Sequence, residues 1–191
     1  MGMGEPFANE RATLGAVARL TDPRGMGLGS RHITISTVGV VPGIRRLPDA
    51  NDQVRLAVSL HAADDELRSE LVPANRLWPL EQVIEAVAFW RERTHHRPSL
   101  EWVMIDGVND TDEQAGKLTA IARRLRAHVN LIPLNATPGF PMQGSPPARI
   151  RRFAGILERA GVNVTIRDTR GRGIEAACGQ LRVERERVAA G

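Results

Sequence analysis

Small polar side chains gather at the ends of four β-branched runs in this sequence. The first run ends Ser36-Thr37-Val38-Gly39 and the second ends Ser59-Leu60-His61. The third ends Asp106-Gly107-Val108-Asn109, and the fourth passes into Pro133-Leu134-Asn135. Hydroxyls, amides and an imidazole on one rim suit a polar metabolite that carries ribose hydroxyls, an amine and a carboxylate. Ser, Asn and Gly also cap helices and make turns, and any one of them alone would be read that way. The shared character of four run ends points to a ligand. His61 has two readings, a general acid or base and a hydrogen-bonding rim residue; as a lone histidine it fits the second better.

Other chemistry-bearing residues are sparser. Cys178 is the only cysteine, which excludes an internal disulfide. It lies in the glycine-rich stretch Thr169-Arg-Gly-Arg-Gly-Ile-Glu-Ala-Ala-Cys178. Arg170 and Arg172 nearby could favour a thiolate and attract phosphate. From the residues alone a reactive and an inert thiol are both open. His95-His96 has no carboxylate or cysteine at metal-ligand spacing and reads as solvated surface, so no metal ligand is nominated. Gly25-Met-Gly27-Leu-Gly29 follows no strand and lacks a Gly-Lys-Ser/Thr, so it reads as a flexible connection rather than a phosphate loop. No nucleophile elbow is present.

The positioning elements alternate. Strands are expected at 32–38, 54–61, 100–105, 129–134 and 163–167, several of them apolar nearly throughout, as for strands covered on both faces. Helical periodicity is expected between them. From Glu10 to Leu20 it places Leu14, Val17, Ala18 and Leu20 on one stripe, and a short helix runs from Pro42 to Leu47. From Pro79 to about Arg93 the stripe is Leu80, Val83, Ile84, Val87 and Ala88. One helix starts at Thr111 and carries Leu118, Ile121, Ala122 and Leu125 inward; the last runs from Pro146 to a stop at Gly161. A β-α-β-α series with right-handed crossovers gives a parallel sheet flanked by helices, either an open doubly wound sheet or a partial barrel. Both bind ligands at the carboxyl ends of the strands.

At 191 residues the chain fits one domain with a real core. No apolar run approaches the roughly 20 residues of a membrane span, and the start of the sequence carries no secretory pattern. With the single cysteine, this favours a cytoplasmic protein. The formal charge is +4, and Lys117 is the only lysine among 26 basic residues. A basic chain favours a polyanionic partner, but this excess is too small to establish nucleic-acid binding.

Taken together, these segments resemble the radical-S-adenosylmethionine (radical-SAM) adenine-C2 RNA methyltransferases, the RlmN/Cfr type. The resemblance rests on Gly2-Met-Gly-Glu-Pro6, Ile35-Ser-Thr-Val-Gly-Val-Val-Pro42, Leu56-Ala-Val-Ser-Leu-His-Ala62, Asp65-Glu-Leu-Arg68 with Leu71-Val-Pro73, Asp106-Gly-Val-Asn-Asp110, Val129-Asn-Leu-Ile-Pro-Leu-Asn135, and Asp168-Thr-Arg-Gly171 with Ala176-Ala-Cys-Gly-Gln-Leu181. It implies an α/β fold, a partial (βα) TIM-like barrel, over residues 1–181, with 182–191 a charged tail. It implies that Gly4 and Glu5 bind the methionine end of S-adenosylmethionine, and that Ser36, Ser59, Leu60, His61 and Asn135 complete the cofactor site. Cys178 matches the methyl-carrying cysteine. In the mechanism the resemblance implies, one S-adenosylmethionine methylates that sulfur. A second is cleaved reductively at a 4Fe-4S cluster, and the radical formed takes hydrogen from the S-methyl group, whose carbon then adds to adenine C2. Ribosomal RNA, with transfer RNA as a further substrate, and an electron donor such as flavodoxin are the implied partners.

The sequence departs from that pattern. The family's Cys-x3-Cys-x2-Cys motif, its resolving cysteine and its N-terminal accessory domain precede the Gly-Glu-Pro segment, where this sequence begins. The reading is therefore of a barrel lacking the cluster-binding segment and one or two strands, inactive on its own. Ala136 also replaces the proline that commonly follows the asparagine. The alternative reading is a non-catalytic remnant that binds RNA or a partner through its arginines.

Overall fold

The computed structural model describes residues 4–135 and 142–167. Its five strands are β1 (Thr34–Thr37), β2 (Arg55–Ser59), β3 (Ser99–Met104), β4 (His128–Pro133) and β5 (Asn163–Ile166). They pair in the spatial order β1-β2-β3-β4-β5, and every pairing is parallel. The helices are α1 (Glu10–Thr21), α2 (Val41–Ala50), α3 (Asp65–Leu71), α4 (Leu80–Thr94), α5 (Asp112–Leu125) and α6 (Pro147–Arg159).

The strand order decides between the two architectures left open. A doubly wound sheet reverses direction at a switch point, which sends helices to both faces. Here every crossover steps the same way, and right-handed crossovers of one direction put their helices on one face. The sheet is a singly wound partial barrel. Its helix-facing side chains include Ile35, Leu56, Val58, Leu100, Trp102 and Leu131, all at most 4% exposed. They meet Ile44 of α2, Val83 and Trp90 of α4, Leu118 of α5 and Phe153 of α6 in one cluster. Trp102 and Phe153 pack with ring centroids 5.8 Å apart. Each large apolar side chain buried this way contributes about 2 kcal/mol.

Local chemistry sets the ends. Thr111 caps α5 by accepting from the Gln114 N–H at 3.2 Å, with Asp112 and Glu113 in the first turn complementing the helix dipole. His95 and Arg126 close α4 and α5 in the left-handed conformation. Two expectations need correction. Ala18 is exposed, because α1 meets the core only through Val17 and the partly buried Leu14. His96 is not solvated: it is half-buried beside Trp90, ring centroids 6.4 Å apart, and burial lowers its pKa. The additional short helix α3 carried no apolar stripe long enough to announce itself; its cap is Asp64, which accepts from the Leu67 N–H at 3.0 Å. The 25–29 connection is tied by backbone bonds, Gly27 N–H to Asp22 at 3.1 Å and Leu28 N–H to Leu20 at 2.9 Å.

Candidate functional site

The carboxyl ends of the strands form one rim, and the nominated residues are distributed along it. Gly4 takes a φ of +107° with open space around its Cα, so glycine is required there by conformation, not by crowding. Glu5 follows and is pinned to the end of β1. One carboxylate oxygen accepts from the Phe7 N–H at 3.1 Å and the Thr37 hydroxyl at 2.8 Å; the other accepts from the Val38 N–H at 2.8 Å. A carboxylate has about four acceptor positions, so the second oxygen retains room for one donor. Phe7 anchors this segment by lying on α2 where Gly43 has no side chain; a Cβ at Gly43 would fall 2.2 Å from the Phe7 ring. The Gly4-Glu5 turn is thus held beside Ser36 by packing and by three hydrogen bonds.

Pleating sorts the β1 and β2 residues. Ile35 pairs in register with Leu56 and Thr37 with Val58, all facing the helices, so Ser36 and Ser59 face the opposite side of the sheet. Ser59 is 7% exposed. Leu60 lies between Ser59 and His61 with its backbone at the strand end. Its side chain is buried among the core residues, its N–H donates to Glu101 O at 3.0 Å, and its carbonyl accepts from Arg68 Nε at 3.2 Å. These contacts fix the backbone that carries Ser59 and His61.

His61 adopts φ 60°, and its Nδ1 accepts the Val103 N–H at 3.2 Å while its carbonyl accepts from Asn109 Nδ2 at 2.9 Å. An Nδ1 that accepts a hydrogen bond carries no proton, so the neutral ring bears its hydrogen on Nε2. Burial, reinforced by the Arg68 charge, lowers the His61 pKa to about 4. At neutral pH the residue is a donor through Nε2, the rim reading rather than the acid–base reading. Asn135 stands exposed just beyond β4. Cys178 lies outside the described residues.

Four residues that carried no nominated role shape this rim. Arg68 is fully buried and donates to Leu60 O, to Val38 O at 2.6 Å and to Asn75 Oδ1 at 2.7 Å, so one guanidinium ties the ends of β1 and β2. Burial lowers its pKa to about 10, leaving it cationic. Asn109 is likewise buried; it accepts from the Ile105 N–H at 2.8 Å and donates to Val103 O at 2.7 Å as well as to His61. Glu101 and Asn130 face the side of the sheet away from the crossover helices, in register with Ser59. A charge and an amide inside otherwise apolar strands were the available signal for these last two.

The rim's donors and acceptors fit a nucleoside with an amino-acid tail. They do not fit an iron–sulfur cluster: one cysteine cannot supply several thiolates, and among the described residues no group of three or more His, Cys, Asp or Glu side chains could hold a metal.

A singly wound parallel sheet with a polar strand-end rim defines a partial (βα) barrel with a ligand-binding edge, an architecture shared with radical-SAM domains. A solved domain of pyruvate-formate lyase-activating enzyme from Bacteroides vulgatus shares the fold at a TM-score of 0.67 and 16% identity, over 87% of this chain and 96% of that one. A radical SAM methyltransferase from Sphaerobacter thermophilus superposes at a TM-score of 0.90 with 50% identity, over 94% of this chain and 53% of that one. The protein named "Probable dual-specificity RNA methyltransferase RlmN" in Parafrankia sp. (strain EAN1pec) is 54% identical over 96% of this chain and 48% of its own length. No family model matches. The chain belongs to the RlmN family of radical-SAM RNA methyltransferases and spans about half the length of the curated relatives it matches. Among the described residues no helix is long and apolar enough to cross a membrane.

Proposed function

We propose that this chain supplies the S-adenosylmethionine-binding sheet of an enzyme that methylates C2 of an adenine in large-subunit ribosomal RNA, with transfer RNA as a second substrate, in the cytoplasm. The observation that carries the reading is the rim itself, with Glu5, Ser36, Ser59, His61 and Asn135 at the carboxyl ends of β1, β2 and β4. The relatives' shared name, an RNA methyltransferase of dual specificity, supports the substrate class. In this reading Glu5 meets the amino group of the cofactor through its remaining acceptor position, and the Ser36 and Ser59 hydroxyls and the Asn135 amide line its nucleoside. The neutral His61 gives a hydrogen bond through Nε2–H. The Cys178 sulfur carries the methyl group, within a core of residues 1–181 followed by a charged tail. In the whole enzyme a 4Fe-4S cluster, whose ligands the residues present do not supply, would provide the reducing chemistry, with a flavodoxin-type protein as electron donor.

Two measurements test this. Isothermal titration of the 191-residue chain with S-adenosylhomocysteine gives one-to-one binding that Asn135→Ala weakens; absence of binding refutes the cofactor site. After incubation with iron, sulfide, reductant and S-adenosylmethionine, mass spectrometry of ribosomal RNA finds no methyladenine above a Cys178→Ala control. Methylation above that control would contradict the inactivity expected of a chain with a single cysteine.

A further inference from the structure

Among the described residues, the side of the sheet away from the crossover helices carries a carboxylate, that of Glu101, with few hydrogen-bond donors. Glu101 sits between Leu100 and Trp102, both in the core, so its own side chain points to the other face. It is in register with Ser59 on β2 and with Asn130 on β4. Adjacent strands lie about 4.8 Å apart, so Ser59, Glu101 and Asn130 form a continuous row on that face, level with the end of β2.

Glu101 is 5% exposed. Among the described residues its only hydrogen-bond donor is Asn130 Nδ2, at 3.2 Å from one oxygen and 3.4 Å from the other. One amide at the long end of the range leaves most of a buried carboxylate's acceptor capacity unused, a costly arrangement unless another group completes it. Burial pushes its pKa up, against the opposing effects of Asn130 and the Arg167 charge, as follows when donors are too few.

The missing partner needs two donors side by side. The vicinal hydroxyls of a ribose match the paired oxygens of one carboxylate, and acidic side chains take ribose hydroxyls in the same way in dinucleotide-binding folds. A nucleotide inside an RNA chain has its 3′ oxygen in a phosphodiester and offers only one hydroxyl. A free nucleoside offers both. We propose that Glu101, steadied by Asn130 and level with Ser59, accepts both ribose hydroxyls of the bound S-adenosylmethionine. This rests on the cofactor site proposed above and adds to it a residue outside the nominated set.

The test compares S-adenosylhomocysteine with its 2′-deoxy analogue by isothermal titration on the wild-type chain, Glu101→Gln and Glu101→Ala, with thermal melts establishing that each variant is folded. The wild type prefers the ribose ligand by about tenfold or more, the scale of a hydrogen bond to a charged acceptor. Both variants lose most of that preference, chiefly through weaker binding of the ribose ligand. A wild type that binds both ligands equally well overturns the proposal whatever the variants do. So do variants that keep the preference, or that lose both ligands in equal proportion; in each of these cases the cofactor site itself stands. If the wild type binds neither ligand, the cofactor site and the role of Glu101 fall together.

Discussion

Lowering the pH from 7 to 4 should destabilise this protein through His61. The folded ring has a pKa of about 4 against an ordinary value of 6.5. Between these values the unfolded chain binds a proton that the folded chain refuses, so stability falls as pH drops through this window and levels off below it. A displacement of that size, at 1.36 kcal/mol per unit, corresponds to on the order of 3 kcal/mol. The physical origin is specific: protonation removes the Nδ1 acceptor from the Val103 N–H and places a cation in a buried site near Arg68. Urea denaturation of the wild type and of His61→Asn at several pH values from 7 to 4 isolates the effect, because asparagine tolerates the left-handed backbone that His61 adopts. The stability difference between the two proteins should shift against the wild type as pH falls. Nitrogen-15 NMR of the ring should report a bare Nδ1 and a protonated Nε2 at pH 7. Parallel loss of stability in both proteins, or a His61 titration near 6.5, would refute the argument.

Further outcomes follow from the same geometry. Arg68→Met leaves the carbonyls of Val38 and Leu60 and the Asn75 amide oxygen without their donor. Chemical denaturation should show a loss of roughly 3 kcal/mol, with Arg68→Lys a poor rescue because an ammonium cannot copy the guanidinium fork. Arg68→Met should also raise the His61 pKa, read from the same NMR titration, since the guanidinium charge helps to hold it down. Gly43→Ala drives a methyl into the Phe7 ring and should cost about 1–3 kcal/mol in a urea melt, with weaker S-adenosylhomocysteine binding as the Glu5 turn loosens. Glu101→Gln should raise the melting temperature at pH 7–8, with the gain shrinking as the pH falls towards 4. A carboxyl whose folded pKa is raised costs stability as pH rises above its unfolded value, and the amide carries no such cost.

Much of the scaffold was legible before any coordinates. Val54–His61 and Leu100–Ile105 are β-branched and apolar, and β2 and β3 lie within them apart from Ser99; the Leu80, Val83, Ile84, Val87 period likewise marks the inward face of α4. Ser36, Ser59, His61 and Asn135 were legible as rim residues because each ends a strand-like run. Glu101 and Asn130 were passed over although each is a polar residue in an apolar strand, because a strand's pattern does not say what covers its second face. Arg68 lay in one of the segments that carry the resemblance, but composition and periodicity gave it no role in a chain in which arginine supplies nearly all the basic charge. Only folding makes it the one that joins two strand ends.

The division has a physical basis. Period, capping and turn preferences are properties of neighbours along the chain, so the amino-acid order by itself determined where strands and helices form and which of their residues face the core. The order also determined that a single thiol is present, at Cys178. Tertiary structure alone decided the single winding of the sheet and the neutrality of His61. It also decided that Glu101 is buried with too few donors and that Glu5 is pinned to the Thr37-Val38 end of β1. Each of these depends on groups brought together across the sheet, where desolvation and opposing partners act through space rather than along the backbone.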